Sequence, residues 1–92
     1  MAEQSRGVPF HSVRQLGGAL RHARLEAQLS QADLARLARV DRSWLVLLEN
    51  GRTANPTLGK VLRVVDALQL ELLVAPPRAD ARPDLGAILR PG

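Results

Sequence analysis

Two short helical patterns, joined by only a few residues, constrain the fold of this chain more than any other feature of its sequence. The first covers about 31–38 and follows Ser30, and the second covers about 42–50 and follows Asp41. Ser and Asp favour the N-cap of a helix because their side chains accept hydrogen bonds from its unpaired N–H groups. So short a connection predicts two helices that cross at a large angle, the helix-turn-helix arrangement.

Further helical patterns flank this pair. One covers about 13–27 after Ser12, and another covers about 58–68 after Thr57. Residues 70–74 are then predicted to form a short strand that ends before two prolines. The predicted fold class is therefore all-α, with four to five short helices and one short C-terminal strand. One apolar face of the last helix is predicted to contain Leu58, Val61, Leu62, Val65 and Leu68.

The composition favours a small binding protein over an enzyme. The chain has 92 residues, with one Phe, one Trp and no Cys. The length predicts one small domain with a core of Leu, Val and Ala, too small for an enclosed catalytic cleft. The absence of Cys excludes disulfides, thiol nucleophiles and Cys-based zinc sites. The two His have no metal-site spacing, so we expect no catalytic residues, no metal and no cofactor.

The charge is moderately basic. Thirteen Lys and Arg stand against nine Asp and Glu, a formal net charge of +4, and Lys60 is the single Lys. Such a balance favours a polyanionic partner. Arg also suits phosphates and guanine edges, since its planar guanidinium forms paired hydrogen bonds. A GC-rich coding sequence would enrich Arg as well, so the charge alone leaves both explanations open.

The patterns divide the chain into three parts. Residues 1–11 are predicted to be a flexible N-terminal arm, 12–75 a helix-turn-helix DNA-binding and dimerisation domain, and 76–92 a flexible C-terminal tail with four of the six prolines. The sequence contains no apolar run of signal-peptide or membrane-spanning length. We therefore expect a cytoplasmic protein.

The helix-turn-helix region resembles a known family. Residues 29–35 read LSQADLA and residues 48–51 read LENG, with Val40 and Leu45 between them. Together these motifs resemble the xenobiotic-response-element family, which includes the lambda-type phage repressors, over about residues 14–70. The resemblance implies a lambda-repressor-like fold and sequence-specific binding of double-stranded DNA.

A narrower resemblance begins after the second helix of the pair. Residues 55–58 read NPTL, and with Val61-Leu62 and the strand at 70–74 they resemble the HipB-like antitoxin branch. That implies a homodimeric repressor on an inverted-repeat operator, autoregulation of its operon, and a HipA-type kinase toxin as partner. A stand-alone or phage-type regulator without a toxin, and a protein-interaction module, stay open as alternatives.

The chain departs from the family where a helix ends. The family often has Gly at the positions of Gln28, Arg39 and Gln69. A non-glycine residue with positive φ is strained by about 1 kcal/mol. The turn is therefore expected to differ slightly, while the core spacing keeps the fold.

Candidate base-reading residues lie on the outer face of the second helix of the pair. A helical wheel turns Leu45 and Leu48 towards the core and the other side chains away from it. Arg is suited to guanine O6 and N7, and Ser to any base edge. The resemblance places positions 42, 43 and 47 against bases, while apolar side chains meet thymine methyls or a protein partner. The predicted set is Arg42, Ser43, Val46 and Leu47.

Candidate contacts to the DNA backbone come from several elements. Gln31 begins the first helix of the pair, where free N–H groups attract anions. Trp44 is either a phosphate contact along the edge of that helix or a structural residue. The resemblance implies a structural ion pair between Arg24 and Glu49, with Arg24 also able to reach a phosphate. The full predicted set is Gln31, Arg24, Trp44, Asn50, Arg52 and Arg36.

The predicted strand has no partner within its own chain, which favours antiparallel pairing with a second copy across a two-fold axis. The predicted dimerisation residues are Leu70, Leu72, Val74, Val61, Val64 and Leu68. In the tail, Leu85, Ile88 and Leu89 are the predicted anchors for a toxin.

Overall fold

The computed structural model describes residues 7–77. Four helices follow one another in this part of the chain: α1 (Val13–Glu26), α2 (Gln31–Ala38), α3 (Arg42–Glu49) and α4 (Leu58–Ala67). The predicted all-α fold is confirmed, and each helix lies within one residue of its predicted range. None of the helices described here is long and apolar enough to cross a membrane.

The N-termini of α1 and α2 are capped as their sequences predict. The Ser12 hydroxyl accepts the N–H of Gln15 at 3.1 Å. At α2, Ser30 and Asp33 form a complete capping box, in which each side chain accepts the other residue's backbone N–H. Asp41 and Thr57 occupy the N-cap positions of α3 and α4, but their side chains make no capping hydrogen bond.

All four described helices end in the same backbone motif. At α1, the N–H of Gln28 donates to the Leu25 carbonyl at 3.0 Å, and the next N–H, that of Leu29, donates to the Arg24 carbonyl at 3.1 Å. This pair of bonds is the Schellman motif, which requires one residue in the left-handed region. The left-handed residues, with φ of 60° to 70°, are Gln28, Arg39, Gly51 and Gln69. The expected difference in the turn is not seen: the three non-glycine residues take the same left-handed conformation as Gly51, and all four helix ends keep one geometry.

Gln28→Gly is expected to stabilise the domain slightly. The left-handed conformation costs a non-glycine residue about 1–2 kcal/mol, while glycine loses about 0.5–1 kcal/mol more on folding than a residue with a side chain. The net gain is therefore between zero and about 1.5 kcal/mol by these figures. Chemical denaturation measures it. Gln28→Ala keeps the strain and serves as the control, so an equal gain in both variants would contradict the explanation.

The core lies where α2 meets α3 and α4 and where α1 meets α3. Its buried residues are Leu16, Leu20, Leu34, Ala35, Ala38, Leu45, Leu48, Val61, Val64 and Val65. Arg63 fastens α4 to the end of α2, since its guanidinium donates to the carbonyls of Ala38 at 3.1 Å and Arg39 at 3.3 Å. A cation at a helix C-terminus also complements the helix dipole.

Gly17 sits where α1 crosses α3. A Cβ at this position would overlap the Leu48 carbonyl group, with its carbon 2.9 Å away. The neighbouring Gly18 has no atom within 4 Å of such a Cβ. Gly17 therefore lets α1 approach the backbone of α3, whereas Gly18 has no packing role.

The apolar face of α4 differs from the prediction. Val61 and Val65 are buried as predicted, but Leu58 is 64% exposed and Leu62 is 45% exposed. Val64, fully buried, fills the core instead. The assignment of Val61 and Val64 to a dimer interface is wrong, because both side chains are enclosed within their own chain.

Residues 70–77 carry no regular secondary structure in the single chain. The predicted strand at 70–74 is not formed within the described residues, since a strand needs a neighbouring strand for its hydrogen bonds. Leu72 packs against the core, whereas Leu73 is 74% exposed and Val74 fully exposed. The predicted tail anchors Leu85, Ile88 and Leu89 lie outside the described residues, as do 1–6 of the predicted arm.

Candidate nucleic-acid interface

α3 presents its N-terminal polar residues on the surface while its apolar side is buried. Leu45 and Leu48 are completely buried, so the rotation of α3 about its axis is fixed. Arg42 and Ser43 are exposed at its first turn, Val46 is half-buried and Leu47 is 45% exposed. The structure therefore places the four predicted base-reading residues on accessible positions of one short helix.

Trp44 links α3 to α4. Its half-buried ring packs against the core, and the Lys60 ammonium lies 5.6 Å from the ring centroid. A cation over an indole face at this distance is an attractive cation–π arrangement. These surroundings match the structural alternative for Trp44. Lys60 has no local spacing relation to Trp44, so the sequence alone does not identify the pair.

A buried ion pair joins α1 to the end of α3. Arg24 Nε donates to Glu49 Oε2 at 2.8 Å, and Arg24 Nη2 donates to Oε1 at 3.0 Å. Arg24 Nη1 also donates to the Leu29 carbonyl at 2.8 Å. The ion pair implied by the family resemblance is present. The further role of Arg24 as a phosphate contact is wrong for this geometry, because its side chain is 8% exposed and held by three hydrogen bonds.

Gln31 extends this pair to the surface. Its Nε2 donates to Glu49 Oε1 at 3.0 Å, although the two residues are 18 positions apart. The side chain is half-buried at the first residue of α2. Gln31 thus lies at the N-terminus of α2, where the sequence placed it. Its hydrogen bond to α3 was not predicted.

The N-terminus of α2 also carries a carboxylate. The backbone N–H and the hydroxyl of Ser30 lower the pKa of Asp33, and Arg36 lowers it further. Asp33 thus stays ionised at neutral pH, and its capping contribution, present above its unfolded pKa, is lost as the pH falls through the lower folded value. Arg36 pairs with Asp33 at 3.0 Å, but its side chain is 75% exposed and can exchange partners.

The remaining predicted backbone contacts follow α3. Asn50 and Arg52 are exposed, and the Arg52 N–H donates to the Leu47 carbonyl at 2.9 Å. This bond belongs to the terminal motif around Gly51 and holds the backbone of Arg52 against the end of α3. The end of the candidate recognition helix therefore presents an exposed amide and, two residues later, an exposed cation whose backbone is held in place.

Solved structures share this architecture. The restriction-modification controller protein C.AhdI from Aeromonas hydrophila is 36% identical, with a TM-score of 0.60, and the match covers 64% of this chain and 88% of C.AhdI. A HipB variant in complex with an O2 20mer is 23% identical, with a TM-score of 0.68, and the match covers 76% of this chain and 96% of HipB. At that identity, HipB shows the fold alone.

The sequence itself identifies the family of this chain. No curated protein sequence matches the chain significantly. A family model described as a helix-turn-helix domain matches residues 15–75, which include all four helices except the first two residues of α1. With α2 and α3 in the predicted pairing and the fold of known regulators, this chain belongs to the helix-turn-helix domain family.

Proposed function

We propose that this protein is a sequence-specific transcriptional repressor that inserts α3 into the major groove of duplex DNA. The observation that carries the proposal is the exposed N-terminal turn of α3, with Arg42 and Ser43 outside and Leu45 and Leu48 fixed in the core. Helix-turn-helix proteins read base edges with the N-terminal residues of this helix. The proposed activity is binding without catalysis.

Base reading and backbone binding fall to different residues in this proposal. Arg42 bonds a guanine through O6 and N7, Ser43 a neighbouring base edge, and Leu47 a thymine methyl. Gln31, Asn50 and Arg52 contact phosphates on either side of the groove. Such contacts set the register of the protein on the duplex without reading its sequence.

Arg42→Ala is expected to weaken binding to the operator by about 1–3 kcal/mol, mainly through one base position. Arg52→Ala is expected to weaken binding to every duplex alike and to flatten the dependence of log K on log salt by about one phosphate contact. An operator is first selected from a library of random duplexes. Fluorescence anisotropy with this operator and with a scrambled duplex, at several salt concentrations, then measures both effects. Equal losses on the two duplexes for Arg42→Ala would remove Arg42 from base reading.

A protein-interaction module is the second candidate, because α3 also exposes apolar surface at Leu47 and Val46. The two candidates differ in their response to salt. DNA binding releases counterions and weakens steeply as salt rises, whereas an apolar protein contact does not. Salt-insensitive association, or none with any duplex from a random library, would favour the interaction module.

We further propose that the protein acts as a dimer paired through residues 70–74. Backbone groups of this segment have no strand neighbour in the single chain, and apolar Leu70, Leu73 and Val74 are exposed. Antiparallel pairing with a second copy would give these backbone groups hydrogen-bond partners and would cover part of the exposed apolar surface. Leu68 is half-buried beside this segment, and exposed Leu58 and Leu62 offer apolar area on α4. Such a dimer suits half-sites about 34 Å apart on an inverted repeat.

Val74→Asp is expected to shift the protein from dimer to monomer. Val74 is fully exposed in the single chain, so the substitution costs the monomer little. In the paired strands position 74 lies opposite position 70 of the second copy, so the substitution places a carboxylate against an apolar leucine, which is destabilising. Sedimentation velocity at micromolar concentrations measures the change. Leu25→Asp, at an exposed leucine of α1, is the matched control. A monomeric wild type, or a Val74→Asp variant that stays dimeric, would contradict the proposal.

An antitoxin role is the most specific form of the proposal. It is supported by the resemblance of residues 55–58, 61–62 and 70–74 to the HipB-like branch, with Leu85, Ile88 and Leu89 as the contacts to a HipA-type kinase toxin. The test is whether the adjacent reading frame encodes a kinase whose expression arrests growth, and whether this chain relieves the arrest. A neighbouring frame without a kinase would favour a stand-alone regulator.

A further inference from the structure

The Glu49 carboxylate connects the buried ion pair to the candidate DNA surface. Its side chain is 0% exposed. Its two oxygens accept three hydrogen bonds: two from Arg24, at 2.8 and 3.0 Å, and one from Gln31 at 3.0 Å. Arg24 neutralises the carboxylate charge, so Glu49 can lie close to the surface without repelling an anion there.

The chemistry of the carboxylate fixes the orientation of the Gln31 amide. An ionised carboxylate only accepts hydrogen bonds, so the amide must turn its NH2 group, not its oxygen, towards Glu49. One N–H is used in this bond and the second N–H stays available. Since Gln31 is half-buried at the first residue of α2, its amide is anchored at its inner side and accessible at its outer side.

We infer that Glu49 is a positioning residue for DNA: it holds the Gln31 amide so that the second N–H meets a backbone phosphate at the N-terminus of α2. The inference rests on the proposed function. Holding the side chain in place before binding removes the entropy cost of ordering it in the complex. The buried ion pair thereby serves DNA affinity as well as stability.

A double-mutant cycle tests this link. Gln31→Ala is expected to weaken operator binding about 10- to 150-fold, the range for one hydrogen bond to a charged group such as a phosphate. The paired variant Arg24→Met/Glu49→Leu removes the carboxylate that holds Gln31 together with both buried charges. It is expected to weaken binding about 2- to 5-fold, less than the loss of the Gln31 side chain itself. Combined with Gln31→Ala, it should add nothing further. Because Gln31 is neutral, the salt dependence should be the same in every variant.

Glu49→Gln provides a second arm: it keeps the side-chain volume and an acceptor oxygen for the Gln31 amide, so it should weaken operator binding less than the paired variant does. A third measurement needs no substitution: in free wild-type protein, the Nε2 of Gln31 should show an NMR order parameter near the rigid-backbone value of about 0.85 rather than below about 0.6. A mobile Gln31 side chain, or losses at Glu49 that persist undiminished in the Gln31→Ala background, would overturn the positioning role while leaving DNA binding intact. Absence of binding by the wild type would overturn the proposed function and the inference with it.

Discussion

Gly17→Ala is expected to destabilise the domain by about 3 kcal/mol, at the upper end of the cost of overpacking a core. The added methyl would overlap the Leu48 carbonyl group, a backbone neighbour that cannot rotate away as a side chain can. Relief requires α1 and α3 to separate, which would loosen Leu16, Leu20 and their partners in the core. No other glycine described in this chain lies so close to the backbone of another helix.

The adjacent residue gives a matched control. Gly18→Ala is expected to stabilise the domain by about 0.5–1 kcal/mol, because alanine favours the helix interior and meets no atom there. Thermal unfolding measures both variants, and for a domain of this size each kcal/mol corresponds to about 4–8 °C in Tm. Since the two glycines are neighbours in one helix, the diagnostic result is a lower Tm for Gly17→Ala and a higher Tm for Gly18→Ala. A stable Gly17→Ala variant would mean that α1 and α3 do not approach as closely as described.

Arg24→Met is expected to cost about 3–5 kcal/mol, the usual loss when one partner of a buried ion pair is removed. The reason is the carboxylate left behind: Glu49 is 0% exposed and would keep only its hydrogen bond from Gln31. The carbonyl of Leu29 loses a donor as well. In a small domain this is a large part of the total free energy of unfolding, so the variant should be partly unfolded at physiological temperature.

The paired variant Arg24→Met/Glu49→Leu separates the cost of an unpaired charge from the value of the pair. Replacing both charges with apolar side chains is often neutral or stabilising, so this variant should be clearly more stable than Arg24→Met alone. Urea denaturation of the two variants and wild type measures the difference. Arg36→Met, which breaks the exposed pair with Asp33, is the control and should cost no more than about 1 kcal/mol. Similar losses for Arg24→Met and the paired variant would show that the packing of the Arg24 side chain matters more than its charge.

Local chemistry in the sequence determined the helices and their ends. Ser12 and Ser30 cap α1 and α2 through side-chain oxygens that need only the next turn of chain. The spacing within α3 was sufficient to assign Leu45 and Leu48 to the core, because a short amphipathic helix has one buried face. The resemblance to a family with glycine at Gln28, Arg39 and Gln69 marked these positions as sites of strain, and all three have positive φ.

Only the tertiary structure decided which apolar residues of α4 are enclosed, since this helix carries more apolar residues than one face can bury. Val64 entered the core and Leu58 stayed outside because of the way α4 packs against α2, which the spacing within α4 did not reveal. The same holds for contacts between distant residues. Gln31 and Glu49 meet, and Gly17 touches Leu48, because the crossing of α1, α2 and α3 brings together residues that are far apart in the chain. Periodicity and capping act within a few residues, whereas these contacts depend on how the helices pack. Packing alone placed Glu49, at the end of α3, where it holds Gln31 on the candidate DNA surface.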